Sequence, residues 1–270
     1  MARPEVAITL VGAGKMGSAM LAGWLKRGIA PAGIHVMEAA PSPAVLALQR
    51  EHGFRLAAPF VASDVLVLAV KPQSLADVAP SLHALAGAQT LVISIIAGKT
   101  IADLARALPC AGAFVRAMPN LPAAIGQGVT GAAEGLGVTA AQHALADDIL
   151  SATGGVEWLA DEALIDAVTA LSGSGPAYVF LLVEAMAQAG AELGLPPATA
   201  MRLARATVEG AGALLRANPV ESAAALRQNV TSPGGTTAAA LDVLRAPDGL
   251  APLMSRAIAA AKQRAQKLSG

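Results

Sequence analysis

The first half of the chain alternates short apolar runs with helical stretches. Residues 6–11, 34–37, 65–70 and 91–95 are continuous runs rich in Val, Ile and Leu. That is the pattern of strands covered on both faces, as in a parallel sheet. Between them, residues 16–27, 43–52 and 74–85 carry apolar positions at helical spacing. Shorter runs at 113–117, 128–131 and 156–159 predict further strands, with a helix over 140–151. The rhythm of strand, helix, strand predicts an α/β fold with a Rossmann-type, doubly wound parallel sheet.

Past residue 160 the strand-like runs give way to long helical ones, at 161–171, 176–193, 197–217, 236–244 and 250–268. This predicts two domains: residues 1–160 forming the sheet, and residues 161–270 all helical. The stretch 176–195 is apolar almost all round, yet it holds Glu184, Gln188 and Glu192. Those residues are costly in lipid, so the expectation is a buried helix of a soluble protein and no membrane partner. A helix without a polar face needs neighbours on every side. The second domain is too small to supply them alone, which predicts a homodimer through it.

Composition sharpens this picture. Hydrophobic residues make up 54% of the chain but aromatics only 3%. A core of small aliphatic side chains favours closely packed helices. Lys plus Arg and Asp plus Glu balance at 19 each, so nothing demands the basic face of a nucleic-acid binder. Cys110 is the single cysteine, which excludes an intramolecular disulfide and any cysteine-cluster metal site. It fits a reducing compartment. No signal peptide stands out in Met1–Glu5. A cytoplasmic protein with no metal centre is expected.

The first candidate chemistry lies in Gly12, Ala13, Gly14, Lys15, Met16 and Gly17. Alone, the G-x-G-x-x-G spacing is a weak signal. Here it follows a predicted buried strand and opens a helix, the context in which it binds a dinucleotide. Gly12 allows the tight turn, Gly14 lets the pyrophosphate approach, and Gly17 lets the helix sit close to the strand. The free N–H groups at the helix start face the phosphates. A tight turn with no ligand is the plainer alternative. Glu38 ends the second strand about twenty residues on, where an acid holds the adenosine ribose 2′-OH and favours NADH. The following Ala39, Ala40, Pro41 and Ser42 offer one hydroxyl and room for the acid to swing away. NADH and NADPH both stay open.

No HExxH, GxSxG or P-loop is present. His35, His52, His83 and His143 all fall before residue 160, where packing or surface roles are expected. Lys71 and Lys99 follow strand ends near the expected cleft. No histidine lies in the helical domain to protonate a carbonyl oxygen. Reducing a ketone makes an alkoxide that needs a strong proton donor. A protonated imine needs less, because hydride transfer gives a neutral amine directly. The protein then has mainly to position the imine. Two segments could do so. One runs from Leu171 through Ser174 to Tyr178. The other contains Thr231, Ser232, Pro233, Gly234, Gly235, Thr236 and Thr237. Amides clustered at its helix start would cradle a carboxylate, and its hydroxyls would reach a reacting atom. An ordinary capped turn is the alternative.

At these residues the chain resembles the pyrroline-5-carboxylate reductases. The likeness runs through residues 11–17 (VGAGKMG), 69–72 (AVKP), 94–98 (SIIAG), 116–122 (RAMPNLP), 166–178 (DAVTALSGSGPAY) and 230–237 (VTSPGGTT). The last two are the most specific. The resemblance implies reduction of a small-molecule substrate, 1-pyrroline-5-carboxylate, to L-proline by NADPH or NADH. It also implies a dimer that can assemble into a larger oligomer such as a decamer. It places Ala69, Val70, Lys71, Pro72 and Ala97 at the nicotinamide half of the cofactor, with Asn120 counted among the cofactor residues. Ser174, Ser232, Gly234, Gly235 and Thr236 become substrate residues, and Thr237 the catalytic hydroxyl at the ring nitrogen. Two departures stand out: residues 53–63 are short and hold no asparagine, and residues 218–225 lack a His-Pro start. A β-hydroxyacid dehydrogenase would share the domain order but needs a lysine on the first long helix of the second domain. Residues 161–261 contain none. A cofactor-binding sensor without catalysis is the remaining alternative.

Overall fold

The computed structural model describes residues 6–56 and 62–269. Met1–Glu5 and residues 57–61, inside the stretch noted for its missing asparagine, lie outside the described residues. One compact unit takes in the described residues up to Gly173 together with those from Ala261 onward; the other runs Ser174–Ala260.

The first unit is built on seven strands among the described residues. In chain order its elements begin with β1 (Ile8–Val11), α1 (Lys15–Lys26), β2 (Ile34–Met37), α2 (Pro43–His52), β3 (Val65–Leu68) and α3 (Leu75–Leu82). β4 (Leu91–Ser94), α4 (Ile101–Ala107), β5 (Ala113–Met118), β6 (Gly128–Glu134), α5 (Ala140–Leu150), β7 (Gly154–Trp158) and α6 (Ile165–Val168) follow. The sheet order is β2-β1-β3-β4-β5-β6-β7. The chain steps from β1 to β2 on one side and then crosses to β3 on the other. The gap beyond β1 and β3 is therefore a topological switch point, where ligands bind in such sheets.

The strands' alternate positions feed two cores. Ile8, Leu10, Val36 and Val67 pack on one face against Met20, Leu21 and Trp24 of α1 and Ile149 and Leu150 of α5. Val11, Leu66, Leu68 and Val92 pack on the other against Leu75, Ala79 and Leu82 of α3 and Leu104 of α4. Trp24 also donates its ring N–H to the Ile149 carbonyl at 2.9 Å.

The sheet departs from the expected all-parallel arrangement at one pair. β6 runs antiparallel to β5, while β7 is parallel to β6. Only a short 3-10 turn, Leu121–Ile125, links β5 to β6. A parallel partner needs a crossover of about a dozen residues or more. α5 provides that crossover between β6 and β7.

α4 was not expected from the periodicity. A capping box starts it: Thr100 accepts from the Asp103 N–H, and Asp103 accepts from the Thr100 N–H. Past α6 the helix widens to a π-helical turn, Thr169–Gly173, where the sequence predicts an unbroken helix over 161–171. The last turns of the C-terminal helix also belong to this unit. Ala265 is buried there, and a Cβ added to Gly98 would lie 2.6 Å from the Leu268 carbonyl oxygen.

The second unit holds α7 (Gly175–Glu192), α8 (Pro197–Ala217), α9 (Ala223–Asn229), α10 (Thr236–Leu244) and the start of α11 (Leu250–Ser269). Ala187 of α7 and Ala200 and Ala204 of α8 are buried. A Cβ on Gly190 would stand 3.2 Å from that of Ala200. Small residues thus bring α7 and α8 close together.

Within one chain α7 is not the buried helix that its composition predicts. Phe180 is 54% exposed and Leu181 63% exposed. α9 and α10 bury no residue. In a single chain this apolar surface is left exposed. The stretch Glu162–Glu192 is also long and apolar enough to cross a membrane by length and composition.

Candidate active site

β1 ends at Val11, and the chain turns sharply at Gly12, whose φ of +93° favours glycine. The Gly12 N–H donates to the Met37 carbonyl at 2.9 Å, tying the turn to β2. A Cβ on Gly12 would fall 2.8 Å from the Ala69 carbonyl oxygen, and one on Gly17 would fall 2.2 Å from that of Gly12. Around Gly14 there is open space, with no atom within 4 Å of an added Cβ. Gly14 precedes α1 and puts no side chain over its first amides. An open surface above uncapped helix N–H groups fits a dinucleotide's pyrophosphate.

A cleft of about 740 Å³ lies at the switch point. Gly12, Gly14 and Glu38 line it, facing Ala69, Val70 and Lys71. Leu56, Ser74 and Val78 also line it; the sequence did not single them out, because their place depends on how β3 and its loop fold back. Lys15, Met16 and Gly17 form the first turn of α1. Pro72 opens a 3-10 turn, Pro72–Ser74, directly after Lys71. Ala97 is exposed in the loop after β4 and does not line this cleft.

Glu38 is held by backbone on both sides. Its Oε2 accepts from the Ala13 N–H at 2.8 Å and its Oε1 from the Ala40 N–H at 3.0 Å. Ser42 accepts from the Val45 N–H at 3.3 Å and so caps α2.

Asn120 stands at the end of β5 with its amide engaged. Its Oδ1 accepts from the Val129 N–H at 2.9 Å, and its Nδ2 donates to the Ser172 carbonyl at 3.2 Å. It thereby ties the π-helical turn to the sheet. Arg116, two residues inside the same strand, escaped the sequence reading. Its side chain is 4% exposed and pairs with Glu162 at 3.1 Å and Asp166 at 3.4 Å. The one signal was a charge inside the apolar run Ala113–Met118.

None of the four histidines lines the cleft. His35 is buried on β2. Burial, with the Arg55 charge nearby, holds its pKa below the ordinary value. His83 meets the Ala107 carbonyl, and His143 pairs with Glu134 and packs on Trp158. His52 lies 3.7 Å from Glu51. Among the described residues no group of three or more His, Cys, Asp and Glu could hold a metal ion.

The other candidate residues lie in the helical unit. Gly234 has a φ of +68°, and the Gly235 N–H donates to the Ser232 carbonyl at 3.0 Å. Gly235 leads into α10 with no side chain capping its amides. Thr231 donates its hydroxyl to the Arg227 carbonyl at 2.7 Å. The hydroxyls of Thr236 and Thr237 have no hydrogen-bond partner among the described residues, and Thr237 is half-buried. Uncapped amides beside two short donors can hold a carboxylate and a nitrogen next to it. Ser174 precedes α7 in the same unit, and its carbonyl accepts from the Ala177 N–H at 3.0 Å.

Comparison with known proteins matches residues 162–268 to a family described as pyrroline-5-carboxylate reductase dimerisation. Residues 7–98 match one described as NADP oxidoreductase, coenzyme F420-dependent. The pyrroline-5-carboxylate reductase of Pseudomonas aeruginosa is 40% identical, over all of this chain and 98% of the relative. That of Synechocystis is 45% identical over 76% of this chain and 75% of the relative. The solved structure of a pyrroline-5-carboxylate reductase from Coxiella burnetii superposes with a TM-score of 0.91 at 36% identity, covering 98% of this chain and 99% of that one.

Proposed function

The chain belongs to the pyrroline-5-carboxylate reductase family, and from that membership we propose how its residues carry the reaction. It is an oxidoreductase that reduces the C=N bond of 1-pyrroline-5-carboxylate to give L-proline, with NADPH or NADH as donor. This is the last step of proline biosynthesis.

The residues present fit the cofactor. Gly12, Ala13, Gly14, Lys15, Met16 and Gly17 would hold its pyrophosphate, and Glu38 its adenosine ribose. Ala69, Val70, Lys71, Pro72 and Ala97 would serve its nicotinamide half, with Asn120, whose amide is held by Val129 and Ser172, counted among the cofactor residues. When bound, the reduced nicotinamide supplies a hydride.

The chain's own part is positioning. The amides of Gly234 and Thr236 hold the substrate carboxylate, Gly235 shapes the turn with its own N–H held by the Ser232 carbonyl, and Ser232 and Ser174 complete the substrate residues. The protonated ring nitrogen donates to the Thr237 hydroxyl, which fixes the imine's orientation. The imine carries its positive charge on that nitrogen already, so no strong acid is needed. The observation that carries this assignment is the pair of unengaged hydroxyls, Thr236 and Thr237, at the uncapped start of α10. The experiment is direct: mix the protein with 1-pyrroline-5-carboxylate and NADH or NADPH, and follow nicotinamide absorbance. Oxidation of the cofactor with formation of proline is expected, and no turnover with either would sink the reading.

Residues 1–160 act as the dinucleotide-binding domain and residues 161–270 as the dimerisation and substrate-binding domain. The match of residues 162–268 to a dimerisation family supports this division. A second copy covers Phe180, Leu181 and the bare faces of α9 and α10. Such dimers can assemble further, as in a decamer. Glu184 and Glu192 within α7 favour a protein partner over lipid. The balanced charge and the biosynthetic role favour a cytoplasmic enzyme with no nucleic-acid partner.

A further inference from the structure

Glu38 stands at the C-terminal end of β2, on the wall of the switch-point cleft. The end of that strand is where the adenosine ribose of a dinucleotide rests. The sequence left the carboxylate free to swing away and make room for a 2′-phosphate. The structure removes that freedom. One carboxylate oxygen takes the Ala13 N–H, inside the glycine turn, and the other takes the Ala40 N–H. Moving the side chain would break two charge-assisted hydrogen bonds at once and leave the Ala13 amide unpaired. Each oxygen keeps a lone pair for a ribose hydroxyl.

A 2′-phosphate at this point would meet a fixed negative charge, so it would need a cation beside it. The loop offers none. Ala39, Ala40 and Pro41 carry neither charge nor hydroxyl, and the Ser42 oxygen caps α2. Leu56, which follows the Arg55 that pairs with β2, brings only an apolar side chain to the cleft. The cation that does line the cleft, Lys71, follows β3, and β1 lies between β3 and β2. Two strand spacings put it on the order of 10 Å from the ribose position. Arg55 lies beside β2 but acts on His35, three residues back from Glu38, again on the order of 10 Å away.

We infer that this reductase is built for NADH rather than NADPH, and that Glu38 is the residue that sets the preference. The inference rests on the reductase reading above. Its test uses binding without the pyrroline substrate, followed by calorimetry or nicotinamide fluorescence, with NADH and NADPH as separate probes. The unmodified protein should bind NADH about tenfold or more tightly than NADPH, as expected of like charges held in contact. Glu38→Gln keeps an oxygen for the Ala13 N–H but removes the charge. It should weaken NADH binding, because a neutral amide is a poorer acceptor for the ribose hydroxyls, and improve NADPH binding about tenfold. Equal or tighter binding of NADPH by the unmodified protein would overturn the inference, as would an unchanged ratio in Glu38→Gln. If the variant fails to fold, the ratio in the unmodified protein decides. Failure of the reductase reading looks different: both nucleotides would bind with their ratio intact, yet neither would support turnover.

Discussion

A Cβ on Gly17 would stand 2.2 Å from the carbonyl oxygen of Gly12, so the first turn of α1 closes directly onto the strand that precedes it. Gly17→Ala must push that turn apart. It should weaken dinucleotide binding about tenfold or more and lower stability by about 1–3 kcal/mol. Gly14 is the contrast, with open space around it. Gly14→Ala should leave the melting temperature nearly unchanged and weaken binding alone. Calorimetric titration and thermal melts of the two variants check the pair.

Thr237 has an unengaged hydroxyl at the start of α10. Thr237→Ala should slow turnover about ten- to hundredfold, the scale of one hydrogen bond to a charged group. Cofactor affinity should stay within about twofold. Steady-state kinetics beside a binding titration separate the two. Unchanged turnover would remove Thr237 from the mechanism.

Arg116 is buried between Glu162 and Asp166. Removing it leaves two carboxylates facing each other without their cation. Arg116→Ala should cost about 3 kcal/mol, at the low end for a broken buried pair because both acids keep some contact with water. The urea unfolding midpoint reads this.

Phe180 and Leu181 lie exposed on α7 in a single chain. If a second copy covers them, Phe180→Glu should shift the protein from dimer to monomer in sedimentation at micromolar concentration. A dimer of undiminished affinity would place the interface elsewhere.

His35 is buried with its pKa held down by burial, then by Arg55. The unfolded chain therefore takes up a proton at a higher pH than the folded one. Stability contributed by the neutral ring is full above about pH 6.5 and declines as pH falls below it. The melting temperature should drop between pH 7.5 and 5.5, and His35→Phe should flatten that drop. A drop of the same size in the variant would acquit His35.

The sequence was most legible where a pattern is local. Val65–Leu68 reads as a buried strand because four apolar residues in a row leave no polar face, and the glycine turn reads from its place between strand and helix. The Thr236–Leu244 helix starts where two glycines stop. What escaped depends on distant partners. The reversal of β6 follows from a short turn instead of a crossover helix, and no single residue in 128–134 announces it. Arg116 passed unnoticed in its strand, because Glu162 and Asp166, which explain it, come more than forty residues later. The tether on Glu38 is a contact to Ala13, twenty-five positions back. That contact is what carries the proposed cofactor preference, and no local pattern announces it.

The close approach of Leu268 to Gly98 couples two distant stretches of the chain. The last turn of α11 lies against the loop that follows β4, with a φ of +71° at Gly98 and no room there for a Cβ. A side chain at Gly98 would have to push aside the Leu268 backbone or the loop itself. A fault introduced at either partner is therefore felt at the segment assigned to the nicotinamide.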